Sequence, residues 1–484
     1  MNFSSQIFSA IFKSGLGTIG KVFFNAIAIK IIALLMGPSG VGIFSQLRQL
    51  WQTSVTIGSL NSGVAIVQGA SSKEDSEKSF FINSIFWTVT LVNSLTSVLL
   101  VYYSKEVSVF FLNSSSNESI EAIKWLALAS FFGVYLIFFS SVLTIYYAIG
   151  RYSIVAATSG FVLLIFAWPA ANKSGVFVVE LVWMIIISEF IALLLCIVFL
   201  VKDRLLPSLK VRLKFNFIFE FFKTSYVLLV TGIFAMTSLL FIRGMIIDKY
   251  GFYGAGIFDA SWMLCMVYVL ILTKSFGTYF LPKLSSMNDA NERNILVVEG
   301  LRIVILISVP VIVFMISFKP LILNLLYTNE FIESLTIMKW MLLGDFFKIL
   351  SWLLAFLIIA NKDMKVFLLL ELISTSFLLF GVHISIKYFG TFESIGIIFM
   401  LIYIPYFIFT LIYNQLMHGL KLNKSIITFG SFGLLVIIAS AINTWHALSV
   451  NYLVSSLNVI MSIIFTWLVL KQNERSWLLN KFNL

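Results

Sequence analysis

Charged residues are scarce in this sequence. Asp, Glu, Lys and Arg make up 11% of its 484 residues, hydrophobic residues make up 60%, and the mean hydropathy is +1.00. Soluble globular chains carry about 25% charged residues and are about half apolar. A water-soluble fold could not hide this much apolar surface, so the solvent of this chain must be lipid.

Cysteine and histidine are also rare, which excludes two kinds of site. The only two cysteines, Cys196 and Cys265, both lie in apolar runs, so no disulfide framework is expected. The three histidines are scattered without a second ligand at helical spacing, and we expect no metal site. The net charge of +11 is spread between hydrophobic runs. It does not form the basic and aromatic patch of a nucleic-acid-binding protein.

Enzyme motifs are absent as well. The sequence contains no Gly-x-Ser-x-Gly elbow and no readable Cys–His pairing. Residues 15–22 match Gly-x-Gly-x-x-Gly, but no strand precedes them, and Val22 stands where a P-loop needs Ser or Thr. We therefore expect no catalytic residue and no cofactor.

The chain contains an internal duplication. The pattern Gly-x-x-Gly-x-Gly-Ile-Phe occurs at residues 37–44 and again at 251–258, an offset of 214 residues. A second pattern, Lys-Trp followed by five residues and Phe-Phe, begins at Lys124 and returns at Lys339, an offset of 215. Two matches at nearly the same offset predict two homologous halves.

Fourteen apolar runs are long enough to cross a bilayer as helices. Six spans per half give both halves the same orientation, so a pseudo-twofold axis along the membrane normal is predicted. We predict an all-α polytopic membrane protein with an N-lobe (1–201), a basic link (202–217), a C-lobe (218–416), and two extra helices with a tail (417–484). The predicted spans are 11–36, 42–69, 80–104, 120–148, 154–171, 176–201, 218–246, 254–281, 295–317, 332–360, 365–386, 394–414, 426–443 and 452–470.

The distribution of Lys and Arg predicts the orientation. With the N-terminus inside, 18 basic residues lie in inner segments and 5 in outer segments. The positive-inside rule then places both termini in the cytoplasm. Basic residues nearer the ends of the spans are interpreted as snorkelling anchors, namely Lys124, Lys223, Arg243 and Lys339.

A few charged residues lie near the middle of a span. There a charge costs on the order of 3 kcal/mol or more, so it must face an aqueous cavity or a partner. Lys21 could pair with Glu189 or contact a substrate, and the two interpretations are compatible. Asp345 and Lys348, three residues apart, can meet on one helical face. They form either an ion pair that stabilises packing or a site that exchanges partners or protons during transport.

A polar stripe follows the second predicted helix at three-to-four spacing, which puts its members on one face. On a spanning helix such a face must contact water or protein. We interpret Arg48 and Gln52 as lining a cavity, and helix–helix hydrogen bonding is the alternative. The stripe consists of Arg48, Gln52, Thr56, Ser59 and Ser62.

Several motifs resemble those of the Wzx-type polysaccharide flippases. Residues 37–42, followed by Arg48-Gln49-Leu50, resemble the start of these proteins. Residues 281–285 resemble their segment after the eighth helix, and Trp340, Gly344-Asp345 and Lys348 resemble their tenth helix. The similarity extends over about residues 1–415 and is strongest to the O-antigen flippases and the enterobacterial common antigen lipid III flippase.

The resemblance implies a MATE-like fold of two six-helix lobes around a cavity, to which the last two helices are an addition. It implies transport of an undecaprenyl-pyrophosphate-linked oligosaccharide, such as an O-antigen repeat unit, from the inner to the outer leaflet of the bacterial inner membrane. An ion gradient of H+ or Na+, or the membrane potential, would drive it. Association with a polysaccharide polymerase and a chain-length regulator is also expected.

The resemblance also assigns Arg48, Asp345 and Lys348 to the cavity. Lys21 is added from its depth in the membrane and Gln52 from the polar stripe. The predicted cavity residues are therefore Lys21, Arg48, Gln52, Asp345 and Lys348, and the predicted ion-coupling residues are Glu189, Asp259 and Asp345.

Three other functions remain open. A lipid II flippase belongs to the same class, and the sequence does not distinguish it. A MATE-type multidrug exporter would be expected to have a net acidic, aromatic cavity, against which the cations in the spans argue. A polytopic polysaccharide polymerase would need a sizeable catalytic loop, whereas the outer loops here are short.

Overall fold

A computed structural model describes residues 3–71, 73–146, 148–172, 178–207, 210–211, 213–287, 289–472 and 474–476. The regular structure in these ranges is entirely helical. The α-helices are α1 (Phe3–Gly58), α2 (Ser62–Ser71), α3 (Asp75–Tyr102), α4 (Ser104–Leu112), α5 (Asn117–Ile145), α6 (Ile149–Ala171), α7 (Val178–Lys202), α8 (Phe215–Ser286), α9 (Ala290–Ser317), α10 (Lys319–Leu326), α11 (Ser334–Ala360), α12 (Met364–Ile384), α13 (Phe392–His418), α14 (Lys424–Asn443) and α15 (Tyr452–Val469).

Twelve of the described helices are long and apolar enough to cross a membrane. Two of the twelve, α1 and α8, run through a kink, and each covers two of the predicted spans. The twelve helices therefore account for the fourteen predicted spans. The prediction of an all-α, multi-pass membrane protein is confirmed.

The kinks of α1 and α8 lie at the first glycine of the duplicated motif. Gly37 has φ 61° and ψ −162°, and Gly251 has φ 66° and ψ −172°. A positive φ favours glycine because there is no Cβ to clash with the backbone. The two halves therefore make the same backbone turn at the same point of the repeat.

The two kinked segments contact each other through a second pair of equivalent glycines. A Cβ added to Gly42 would lie 2.0 Å from the carbonyl oxygen of Phe252, and one added to Gly256 would lie 2.0 Å from that of Pro38. Phe252 and Pro38 each follow the kink glycine of their own copy. The contact is thus reciprocal, and only glycine permits so close an approach of two backbones.

Contacts divide the chain into two compact units, Phe12–Asp259 and Ala260–Leu484, the latter together with Met1–Ile11. In the first unit α5 packs against α3, α6 and α7, and in the second α11 packs against α9, α12 and α13. Helices α5 and α11 carry the repeated Lys-Trp motif, so equivalent helices occupy the centre of each unit. The lobe boundaries predicted from the repeat remain a prediction.

One predicted span is interrupted in the structure. The run 42–69 was predicted as a single helix, but α1 ends at Gly58 and α2 begins at Ser62. Between them Leu60 and Asn61 adopt positive φ values of 55° and 46°. The side chain of Asn61 donates a hydrogen bond of 2.7 Å to the carbonyl of Leu228, which stabilises the break. Asn tolerates this conformation better than most residues.

Polar contacts attach the two extra helices, α14 and α15, to α9. Arg302 in α9 donates to the carboxylate of Glu474, just after α15, at 2.9 Å. At the C-terminal end of α9, Ser455 donates to the carbonyl of Ser317 at 2.8 Å, and Asn458 donates to the Ser317 hydroxyl at 3.2 Å. The contacts therefore attach both ends of α15 to α9, its start at Ser317 and its end at Arg302.

Candidate functional site

Lys348 is the centre of a buried cluster in the unit that begins at Ala260. It lies near the middle of α11, and 2% of its surface is exposed. Its ammonium lies 4.9 Å from the ring centroids of Phe399 and Tyr403, 5.1 Å from Trp352 and 5.6 Å from Trp262. Aromatic ring faces attract a cation, so the cluster stabilises a charged ammonium inside a spanning segment.

Asp345 lies one turn before Lys348 on α11 and is completely buried. Its Oδ2 accepts a hydrogen bond of 2.7 Å from the hydroxyl of Tyr268 in α8. Its Oδ1 has no hydrogen-bond partner among the described residues. A buried acceptor without a donor is unfavourable. This oxygen is therefore available to a proton, a cation or a substrate hydroxyl.

A second carboxylate, Glu371 in α12, belongs to the same cluster. Its Oε1 accepts a hydrogen bond of 2.7 Å from Tyr406 in α13. Lys348 interacts electrostatically with both Asp345 and Glu371. The sequence analysis missed Glu371, although an acidic residue inside the predicted span 365–386 is itself a signal of a functional site.

The two interpretations of Asp345 and Lys348, an ion pair that stabilises packing and a site that exchanges partners or protons, both remain predictions. The two side chains share one cluster, but they form no direct ion pair in the described structure, because Asp345 contacts Tyr268 and the Lys348 ammonium lies 3.0 Å from the sulfur of Met266. With both carboxylates ionised, the cluster would carry two negative charges and one positive. One bound proton or monovalent cation would balance it.

In the unit Phe12–Asp259, the face of α1 that makes polar contacts coincides only partly with the predicted polar stripe. Arg48 and Gln52 are half-buried. Gln49, on the neighbouring face, is buried and donates to the carbonyl of Met236 at 3.0 Å. A second stripe of the same spacing, which could have been read from the sequence, consists of Gln46, Gln49 and Thr53.

Arg243 is buried, and its interpretation as a snorkelling anchor is wrong. It forms an ion pair with Asp259 and donates a hydrogen bond of 2.8 Å to the side chain of Gln49. The kink at Gly251 reverses the chain, so a residue sixteen positions later lies beside Arg243. Asp259, predicted to couple an ion, is paired with Arg243 in this structure.

The repeat-related lysines Lys124 and Lys339 differ in environment. Lys124 is exposed, as an anchor should be. Lys339 is buried, forms an ion pair of 2.8 Å with Glu393, and lies 4.4 Å from the ring of Trp445, so its interpretation as an anchor is wrong. Trp445 follows α14, which packs against α11. Burial lowers the pKa of the nearby Lys319 to about 8, and the positive charge of Lys339 is the second, smaller cause.

Pairing with Glu189 was one of two interpretations of Lys21, and the described structure does not bring the two side chains together as an ion pair. Glu189, which is buried, accepts a hydrogen bond of 3.0 Å from Ser159. Lys21 is half-buried on α1, where its backbone approaches α6 so closely that a Cβ on Gly160 would lie 3.0 Å from the Lys21 oxygen. Contact of Lys21 with a substrate remains a prediction.

No group of three or more His, Cys, Asp or Glu side chains that could hold a metal ion occurs in the described part of the chain. Cys196 and Cys265 are both free and buried. The clusters around Lys348 and Arg243 are therefore the candidate sites.

Comparison with known proteins connects these features to a family. The polysaccharide biosynthesis protein family matches residues 31–336, which is more than half of the chain. The lipid III flippases of Escherichia coli (strain K12) and Shigella flexneri are each 23% identical over 185 residues. That region is 38% of this chain and 44% of each relative, so the match spans less than half of these curated proteins.

Solved structures agree on the fold. The lipid II flippase MurJ, in an inward closed conformation, matches with a TM-score of 0.70 and 14% identity over 99% of this chain and 100% of that one. An inward-facing multidrug resistance MATE transporter of the MOP superfamily matches with a TM-score of 0.64 and 10% identity, over 84% of this chain and 94% of that one. The predicted MATE-like fold is confirmed, and the chain belongs to the polysaccharide biosynthesis protein family.

Proposed function

We propose that this protein is a flippase for an undecaprenyl-pyrophosphate-linked oligosaccharide, such as an O-antigen repeat unit. It would move this lipid by alternating access from the inner to the outer leaflet of the bacterial cytoplasmic membrane, with both termini in the cytoplasm. The family match and the partial similarity to lipid III flippases support the substrate class.

The observation that carries this proposal is the buried cluster around Lys348. An ammonium offers a contact for a phosphate, and carboxylates and tyrosine hydroxyls offer partners for sugar hydroxyls. Trp262, Trp352 and Tyr403 are each half-buried and provide flat faces beside the ammonium. A mostly aromatic site with a few polar groups is typical of small-molecule recognition. Arg48, Gln52 and Lys21 are proposed as further substrate contacts.

The membrane potential alone supplies a driving force for this reaction. Moving one charge across 100 mV is worth about 2.3 kcal/mol, so two negative charges moving outward gain about 4 to 5 kcal/mol. Proton or sodium coupling would add to this. Asp345 and Glu371 are our candidates for it, because their cluster is balanced by one added cation. Glu189 and Asp259 are less suited, because Glu189 already accepts a hydrogen bond from Ser159 and Asp259 already pairs with Arg243.

A lipid II flippase is the second candidate. The observation that favours it is the similarity to MurJ, which extends over 99% of this chain and so includes α14 and α15. The matched MATE transporter covers 84%. A multidrug exporter keeps some support from the acidic and aromatic character of the Lys348 cluster. The three functions differ in what accumulates when transport stops.

The function is tested by deleting the gene in its native host and analysing lipid-linked intermediates. We expect complete repeat units on undecaprenyl pyrophosphate to accumulate on the cytoplasmic side, with loss of surface polysaccharide. Accumulation of lipid II would support the second candidate. Incomplete units would point to a biosynthetic enzyme. Undiminished surface polysaccharide, with no redundant transporter present, would refute the flippase proposal.

Lys21 provides a residue-level test. Because a phosphate contact needs charge more than shape, Lys21→Ala is expected to abolish export, and Lys21→Arg is expected to keep part of it. Export is measured as surface polysaccharide, with immunoblots of membrane fractions as the control for protein level. Lys124→Ala, at an exposed lysine, is the matched control and should have a mild effect.

The same experiment separates substrate contact from a structural role of Lys21. If Lys21 were needed only to neutralise Glu189, the double variant Lys21→Ala with Glu189→Ala would regain activity. Since Glu189 is hydrogen-bonded to Ser159 instead, we expect no rescue. Full export by Lys21→Ala, or rescue in the double variant, would remove Lys21 from the substrate site.

A further inference from the structure

The segment that joins α7 to α8 alternates basic and apolar residues. Lys210 and Lys214 are exposed, and the apolar side chains between and after them are exposed as well. The exposed fractions are 62% for Val211, 45% for Leu213 and 78% for Phe215. The described apolar side chains of this segment are therefore all open to its surroundings.

The first turns of α8 also carry exposed apolar side chains. Phe215, Phe219 and Phe222 follow the spacing i, i+4, i+7, which puts them on one helical face. Their exposed fractions are 78%, 72% and 36%. Phe217 and Phe221 lie on the other face, where Phe221 is fully buried. One face of this helix end is thus packed and the opposite face is apolar but uncovered in the described structure.

The packed side is held firmly to α3. The backbone N–H of Lys214 donates to the hydroxyl of Ser84 at 3.1 Å, and its ammonium lies 4.3 Å from the ring of Phe80. The ring of Phe217 contacts that of Phe81 at 5.9 Å in an edge-to-face arrangement. These contacts attach the segment to α3, and the side chain of Lys214 remains exposed beside the Phe80 ring.

We propose that this segment is a docking surface for anionic phospholipid headgroups of the cytoplasmic leaflet. We call it the link strip, and it comprises Lys210, Val211, Leu213, Lys214, Phe215 and Phe219. Exposed basic residues next to a spanning helix attract anionic headgroups, and exposed apolar side chains enter the boundary between headgroups and acyl chains. The proposal rests on the predicted orientation of the chain, and it holds whatever saccharide is transported.

A lipid surface fits the link strip better than an acidic protein partner. Apolar and basic residues alternate along the strip. This matches a membrane interface, where anionic headgroups and acyl chains lie close to each other. The strip also continues directly into α8, whose residues from Tyr226 onward are long and apolar enough to span a membrane. It therefore lies just before a helix segment that can span the membrane.

The test uses a fluorescent probe on the link strip. Val211→Cys is labelled with an environment-sensitive dye in a chain in which Cys196 and Cys265 are replaced by serine, and is placed in nanodiscs of phosphatidylcholine with or without phosphatidylglycerol. We expect a blue shift of emission that grows with phosphatidylglycerol and weakens with added salt. The double variant Lys210→Gln with Lys214→Gln should lower the apparent affinity for phosphatidylglycerol by roughly fivefold per charge removed.

A matched control uses two other exposed lysines on the same predicted side of the membrane. Lys421→Gln with Lys424→Gln removes the same charge from the start of α14 and the loop before it, outside the link strip, and should leave the response unchanged. Equal emission in both nanodiscs would overturn the proposal. A response to undecaprenyl pyrophosphate or to an acidic peptide, without one to phosphatidylglycerol, would also overturn it and would assign the strip to the substrate or to a protein.

Discussion

Replacing Gly42 with alanine is expected to destabilise the protein by about 3 kcal/mol or more. The new Cβ would lie 2.0 Å from the carbonyl oxygen of Phe252, and a backbone oxygen cannot move away as a flexible side chain would. Gly256→Ala should have a similar effect through the oxygen of Pro38. The loss is measured as a fall in Tm of the detergent-solubilised protein and in its level in membranes.

Two further variants make this result specific to the reciprocal contact. Gly150→Ala in α6 adds a methyl group where no atom lies within 4 Å, so it should be close to neutral. Gly42→Ala with Gly256→Ala should lose less than the sum of the single variants, because one separation of the two segments accommodates both methyl groups. Strict additivity, or single variants as stable as Gly150→Ala, would contradict the contact.

Lys348→Ala is expected to abolish export and to reduce the amount of protein in the membrane. Without the ammonium, Asp345 and Glu371 would lie in a spanning segment with no cation near them. Leaving buried charges without the group that compensates them typically costs about 3 to 5 kcal/mol. Export is followed as surface polysaccharide and the protein level by immunoblot, in the deletion strain that carries each variant.

A charge-balanced variant separates folding from transport. Lys348→Met with Asp345→Asn and Glu371→Gln removes all three charges at nearly constant volume, so the protein should return to the membrane. If the cluster binds substrate or a coupling cation, this variant should still fail to export. Restored export would show that the cluster only packs helices together, and it would remove Asp345, Lys348 and Glu371 from the proposed site.

The predicted spans agree with the structure because the signal for each one is local. A run of about twenty apolar residues must form a helix in lipid, where every backbone polar group needs a partner within the segment. The disagreement at residues 42–69 arises instead from a contact between distant parts of the chain. Asn61 can leave the helix only because the carbonyl of Leu228, far away in the sequence, accepts its hydrogen bond.

The roles of individual charges were less predictable, since position in a span does not identify a partner. Lys124 and Lys339 occupy equivalent places in the repeat and were interpreted alike. Lys339 is nevertheless buried against Glu393 of α13 and Trp445, which follows α14. The homologous face of α5 at Lys124 is exposed. The partners of Lys339 therefore come from α13 inside the repeat and from the segment after α14 outside it.

By itself, the sequence determined the solvent of this protein, the number of its crossings and its duplication, because hydropathy, segment length and repeat offset are properties of the chain alone. Only the tertiary structure decided which buried charges meet. Arg243 reaches Asp259 and Gln49 through the kink at Gly251, and Lys348 is surrounded by rings from three helices. Such partners come from segments that are distant in sequence, and in a membrane each unpaired charge is costly enough to make their packing decisive.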